Sequence, residues 1–572
     1  MPAYESPFHA ILDTNSVPTD AECGHIRDFL APHQAKLVEL DAEVERLRVQ
    51  LDATTSERDK LGNFVAAHHA LLSPMRRIPE DILRLIFLKT LPERRNTAMH
   101  PSEGPLLLAS VCRYWQDLVM ATPQLWSTIH VVVARFPPIP PGWVGALPQQ
   151  WYVAPRLATF LARGGHAPLD ITMQVSRQPL AESAVDAADS SGVPGSGPSP
   201  FLRALMGASG RWRKMKLWML SNEDTQALAG LRASDVPQLE SFDLMSFAET
   251  PRLNFLGTPS LRHLSIQGNY PSFPPDVYWQ NLVSLDIQVS STSAPQMELI
   301  EFPFPFLAHC ASLEKLAVTI SGYGFLPTPD GDCSILLPQL KLLDLGFFDA
   351  GNMSTAIHML DVPRLHTFNV SRGLTVVPDI FDRLDHIRCL VLTLDYLTTD
   401  LLVSVLRLVP VLERLRLIGE PIPPAAPTAA PGFAFASKDH RYLTRLLPSD
   451  PVPLCPALRH LELTFVQLTP DALMVDLVHA RTTALPAADP PVARLTAFSC
   501  FLLREPQLDM AAALADCAAA GLVIRVAQRP VPVPVPETPQ YSALEGTESD
   551  AIYRPGGPAA GGLDGAAWLV EL

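Results

Sequence analysis

Hydrophobic positions along this chain change their period twice. Over residues 34–72, Leu37, Leu40, Val44, Leu47 and Leu51 recur at spacings of 3, 4, 3 and 4, with Glu39, Glu43, Glu45, Arg46 and Arg48 between them. Such spacing places the apolar side chains on one stripe of a helix. The stripe weakens at Thr54 and Arg58 and resumes at Leu61 and Val65. A coil that self-associates and a helix that lays its stripe on its own domain both fit. The clean seam covers about two heptads, short of the three to four that a coiled coil normally shows, which favours the second reading.

A different helical pattern follows. Pro79 suits a first helical position, and Glu80 and Asp81 suit the positive end of a helix. This helix is expected to reach about Leu91. Its residues Ile82, Leu83, Leu85, Ile86, Phe87 and Leu88 cover more than one face. A second helix is expected from Pro105 to Ala121, again apolar on several sides through Leu107, Leu108, Val111, Cys112, Trp115, Leu118 and Val119. Either these helices are central to their own domain or another protein covers part of them.

From Ser127 the pattern turns to strands, first in STIHVVV and then in PLDITMQV. A template of apolar, two variable, apolar, one variable, apolar then recurs. Its first apolar positions are Trp212, Leu239, Leu261, Leu282, Leu313, Leu340, Leu365, Ile387, Leu412, Leu458 and Leu495. Most steps run from 21 to 31 residues, and the longer ones cross proline-rich stretches. A period near 25 with LxxLxL is the signature of leucine-rich repeats, in which each unit is too small to bury its apolar face alone and stacking builds a parallel sheet. An alanine-rich final helix over 508–520 and a last strand, VIRVA, close the array. The expected fold class is α/β, a helical N-terminal part followed by a leucine-rich-repeat solenoid with a curved parallel sheet. The expected boundaries are 1–33 disordered, 34–72 amphipathic or coiled-coil-like helix, 73–128 helical unit, 129–525 repeats with a flexible insertion at 178–200, and 526–572 disordered tail.

Composition narrows the function. Fifty-seven prolines among 572 residues favour many short elements over long helices in most of the chain. The formal net charge is −15 with no Lys/Arg-rich run, which argues against nucleic acid as the main partner. The eight cysteines form no CxxC pair and are irregularly spaced, as expected for reduced thiols in a cytoplasmic or nuclear protein. No basic n-region precedes an apolar run, and no stretch approaches 18 apolar residues, so neither a secretory signal nor a membrane span is expected. P-loop, HExxH, GxSxG and strand-following GxGxxG motifs are missing from the sequence. His68–His69 are adjacent on a helix and diverge, so they make poor co-ligands. No enzyme activity, cofactor or metal is expected.

Residues 71–133 resemble the F-box, and the chain as a whole is similar to the leucine-rich-repeat F-box proteins abundant in fungi. The residues that carry the likeness are LSPMRRIPEDILRLIF and LLLASVCRYWQDLVMATPQLWSTIHV. The family's leading Leu-Pro stands here as Ile78–Pro79, followed by Glu80, Ile82, Leu83, Ile86 and Phe87, then Val111, Cys112, Trp115 and Trp126. The long loop at 92–104 departs from the pattern. The resemblance implies a substrate-recognition adaptor of a Skp-cullin-F-box ubiquitin ligase. On that reading Pro79, Ile82, Leu83, Ile86, Val111 and Trp115 bind a Skp-family adaptor, and the repeats hold a protein substrate. The alternative is a non-ligase binding scaffold that uses the repeats and the N-terminal coil. Variable template positions point to the open face of the sheet, which nominates Asp243, His263, Asp286, Asn369, Arg414, Arg416 and Glu462 for substrate. Arg414 and Arg416 form the sharpest feature there, suited to an acidic or phosphorylated segment.

Overall fold

The computed structural model describes residues 6–12, 14–72, 74–133, 153–175, 198–218, 220, 222–246, 251–268, 273–290, 305–321, 335–347, 357–372, 386–394, 397–419, 441–448, 453–464, 469–483, 491–502, 504–528 and 547. It divides into two units, Met1–Leu85 and Ile86–Leu572. Most of the insertion expected at 178–200, and the tail beyond 528 apart from Thr547, lie outside the described residues.

The first unit is dominated by helix α1 (Asp20–Leu71). It begins fourteen residues before the expected start at 34, so residues 20–33 are helical rather than disordered. The N-terminal signal was missed because Pro32 interrupts the sequence pattern, yet it sits inside the helix. The start is capped locally: the Glu22 carboxylate accepts from both the backbone N–H and the hydroxyl of Thr19.

Helix α2 (Glu80–Lys89) follows Pro79 as expected. The second helical stretch is two helices, not one: α3 (Gly104–Val111) and α4 (Arg113–Met120), separated by Cys112 in extended backbone. The intervening loop is tied down within the second unit. Ala98 forms a parallel bridge with His130, Asn96 Nδ2 donates to Thr172 Oγ1 at 2.9 Å, and the Arg95 guanidinium pairs with Glu103. Trp126 is buried and donates its indole N–H to the Val119 carbonyl at 3.0 Å.

The second unit is built on a 14-stranded parallel sheet. Its strands are β1 (Thr128–Val133), β2 (Leu169–Val175), β3 (Trp212–Trp218), β4 (Ser241–Ser246), β5 (His263–Gly268), β6 (Ser284–Ser290) and β7 (Lys315–Ser321). After a two-residue strand β8 (Ile335–Leu336) come β9 (Leu342–Phe347), then β10 (Leu360–Asp361), which pairs only with β8, then β11 (Thr367–Arg372) and β12 (Cys389–Thr393). β13 (Arg414–Ile418), β14 (His460–Thr464), β15 (Ala497–Leu502) and β16 (Val523–Gln528) complete it. Apart from β8 and β10, sheet order follows chain order, so each unit of sequence adds one strand to the growing edge.

The template explains the register. Phe242, Leu264, Leu285, Leu316, Leu343, Phe368, Leu390, Leu415, Leu461 and Phe498 face one another strand by strand and are all buried. Each such side chain contributes about 1.5–3 kcal/mol of burial. The first apolar residue of each template closes a turn before its strand: Leu239, Leu261, Leu282, Leu313, Leu340, Leu365, Leu412 and Leu458 each donate their N–H to the carbonyl three residues back. Return segments are α-helical near both ends of the array, as in Asn222–Ala229 and Asp471–Thr482, and short 3₁₀ turns in its middle, as in Asn254–Gly257 and Trp279–Asn281. The expected final helix is two short ones, Met510–Ala513 and Ala515–Ala519. Among the described residues, no helix is long and apolar enough to cross a membrane.

Candidate binding surfaces

The residues nominated for a partner on the N-terminal helices divide by burial. Pro79 is exposed, and Ile82 keeps 44% of its surface in solvent. Leu83 is fully buried and is a core residue, not a contact residue. A period of 3.6 places Leu83 on the inward side of α2 while its neighbour Ile82 faces out. In the second unit Ile86 and Val111 are 39% and 55% exposed, joined by Leu107 and Tyr114, also exposed. Trp115 is half-buried, its ring 4.7 Å from that of buried Phe87, so it serves the core on one side. Leu85, Leu107 and Tyr114 were not singled out from sequence. Their apolar character was visible, but their outward orientation depends on which turn of each short helix meets the core.

The open face of the sheet carries a row of side chains in register: Thr172, Lys216, Asp243, Ser265, Asp286, Ala317, Asp344, Asn369, Val391, Arg416 and Glu462. Adjacent strands lie about 4.8 Å apart, so Asp243, Asp286 and Asp344, each two strands from the next, recur at about 9.6 Å. Small side chains, Ser265 and Ala317, stand between them.

Their surroundings differ. Asp243 lies 3.5 Å from the Lys216 ammonium and accepts from the Trp218 indole at 3.3 Å, although burial pushes its carboxyl up. Burial raises the Asp286 carboxyl to about 6, against the pull of Lys315, and its Oδ1 is enclosed without a hydrogen bond. Burial and then the charge of Asp286 push Asp344 up to about 7. Asp344 Oδ2 accepts from Asn369 Nδ2 at 2.6 Å, while Oδ1 is enclosed and accepts nothing. Sequence reasoning passed over Asp344 and Lys216, yet Asp344 occupies in KLLDL the slot that Asp286 occupies in VSLDI.

The basic patch expected from Arg414 and Arg416 has a different character. Arg416 is buried and its Nε lies 3.1 Å from Oε1 of Glu462, itself buried, on the neighbouring strand. The two nominated residues therefore answer each other, and neither is an open contact for an acidic segment. Burial raises the Glu462 carboxyl while Arg416 opposes it. Arg414 is half-buried in the row shared with Cys389 and His460. His263 is exposed, its imidazole shifted down by partial burial and by Lys214. The strand register sets these side chains in shared rows, and within them Arg416 and Glu462 pair across adjacent strands.

Among the described residues, one group of three possible metal donors comes together: His479, Asp516 and Cys517. Its geometry is that of a hydrogen-bond chain. The His479 Nε2–H reaches the Ala513 carbonyl at 3.1 Å, which leaves Nδ1 to accept from the Cys517 thiol at 3.3 Å. Burial shifts that thiol up. A cleft of about 260 Å³ in the second unit is lined by Met99, Leu106, Val132, Phe160, Arg156 and Arg163, among others.

No protein-family model and no curated protein matches this chain.

Proposed function

We propose that the chain is a non-catalytic substrate-recognition adaptor of a Skp-cullin-F-box ubiquitin ligase, in which the helices before the sheet are an F-box and the sheet is a leucine-rich-repeat array. One observation carries this reading. Within the second unit Ile86, Leu107, Val111 and Tyr114 are left exposed on three short helices that directly precede a long parallel sheet. Large apolar side chains left in solvent on short elements mark a surface that a partner covers. The resemblance of IPEDILRLIF and of SVCRYWQDLVM to the F-box names the partner as a Skp-family adaptor.

The mechanism on this reading is proximity. The adaptor links the chain to a cullin and its RING subunit, and the open face of the sheet holds a protein substrate near a charged ubiquitin-conjugating enzyme. The gain is effective concentration, with no chemistry required of this chain. Within that face Asp286 and Asp344 each keep one enclosed carboxyl oxygen without a hydrogen bond. Such a protein works in the cytoplasm or nucleus, where its partners reside.

The test is co-elution of the full chain with a recombinant Skp-family adaptor at micromolar concentration. Ile82→Asp with Ile86→Asp puts charge where the complex must exclude water, and binding should be lost with the thermal unfolding midpoint little changed. Failure of the wild-type chain to co-elute removes the ligase reading and leaves the binding scaffold.

A further inference from the structure

Helix α1 presents a seam that its own unit does not cover. The frame set by Leu37, Leu40, Val44, Leu47 and Leu51 runs on without a slip through Thr54, Arg58, Leu61, Val65 and His68. Helix geometry is continuous over all of these positions, and Pro32 lies before the first of them. The seven apolar members are between 44% and 65% exposed. Among the described residues of unit 1 there is no second element that could pack along them: besides α1 and the start of α2 these hold only turns at 6–12 and a single 3₁₀ turn at Pro74–Arg77.

The residues flanking the seam indicate what covers it. With Leu37, Val44, Leu51, Arg58 and Val65 at the first core position of each heptad, the preceding flank is Lys36, Glu43, Gln50 and Glu57. The following flank is Asp41, Arg48, Thr55 and Gly62. In a parallel, in-register pair each preceding-flank residue meets the partner's following-flank residue five positions on. Those meetings are Lys36 with Asp41, Glu43 with Arg48, Gln50 with Thr55 and Glu57 with Gly62. Two are opposite charges, none is a like-charge pair, and each occurs twice in the dimer. Arg58, the one charged core residue, packs beside Glu57 of the opposite helix. A fully overlapped antiparallel pair instead sets Glu43 against Phe64 and Arg48 against Thr55, and forms no ion pair across the seam. Within one helix Glu43 holds Arg46 at 2.7 Å and Lys36 holds Glu39 at 2.7 Å, but these pairs are solvent-exposed and exchange readily.

We infer that α1 is a homodimerisation element, and that a second copy of this chain pairs with it in parallel and in register through Leu37–Val65. The polar members Thr54 and Arg58 weaken the middle of the seam and fix its register, as a single polar core residue does in other two-stranded coils.

Sedimentation equilibrium of the full chain tests this. The wild type should approach twice its 62.5 kDa mass at micromolar concentration. Leu40→Glu with Leu47→Glu should return it to monomer. Glu43→Arg alone, which sets arginine against Arg48, should weaken the dimer about tenfold. Glu43→Arg combined with Arg48→Glu should restore it. These residues are exposed on α1, so the variants leave the sheet's unfolding midpoint as an internal control. A monomeric wild type, or a dimer indifferent to the two leucine substitutions, overturns the inference. A double charge swap no better than the single one overturns the parallel, in-register arrangement.

Discussion

Asp344 offers a direct measurement of what the open face of the sheet stores. Its carboxyl lies in the row between Ala317 and Asn369, with one oxygen bonded to Asn369 and the other enclosed. Burial, with the nearby Asp286, raises it from an ordinary value near 4 to about 7. That displacement corresponds to about 4 kcal/mol between protonated and ionised forms. Because Asp344 keeps some exposure, the part that reaches stability is about 2–3 kcal/mol. The sign follows from proton binding. Between pH 4 and 7 the folded state holds this proton more tightly than the unfolded state, so stability falls as pH rises through that window and levels off above it. Asp344→Asn keeps the shape and removes the titration. Denaturant unfolding of wild type and variant at pH 5 and pH 8 should show the smaller difference at the lower pH. At the higher pH the variant should be about 2–3 kcal/mol more stable. Equal differences at the two pH values, or a variant weaker at pH 8, would refute the claim that a strained carboxyl sits on this face.

Two further outcomes concern the frame that carries that face. Arg481 is buried and donates to the carbonyls of Leu446, Leu454 and Cys455, with Nε–O and Nη1–O distances of 2.9 and 3.0 Å for the first and last. Cys455 has φ of 47°, a left-handed conformation that a non-glycine residue holds only where its surroundings fix it. Arg481→Met should cost about 3–5 kcal/mol, read from the denaturant midpoint, because three carbonyls lose a charged donor at once. Gly268 has φ of 143°, and a Cβ there would stand 1.7 Å from the Ser246 carbonyl oxygen on the adjacent strand. Gly268→Ala should therefore lower stability by more than about 1 kcal/mol in the same assay.

Much of this architecture was legible in the sequence because it rests on local periodicity. The LxxLxL template sets which side chains are inward, and once Phe242, Leu264 and Leu285 must share one core, the parallel register follows. The start of α2 after Pro79 was legible for the same kind of reason, a short-range steric preference. The start of α1 at Asp20 was not, since Pro32 reads as a breaker while the helix passes through it. Nor was the break at Cys112, which no glycine or proline announces.

What only the tertiary structure decided is how neighbours within a face divide their work. Ile82 and Leu83 are alike in sequence and opposite in role, because packing takes one side chain and leaves the other. Arg416 stands on an open-face position, yet the next strand brings Glu462 into contact and turns an apparent ligand site into an internal pair. Asp286 and Asp344 look like ordinary solvated carboxylates in the sequence. They become high-pKa groups only where the sheet encloses them and sets them in one row, since desolvation depends on the surroundings that folding assembles.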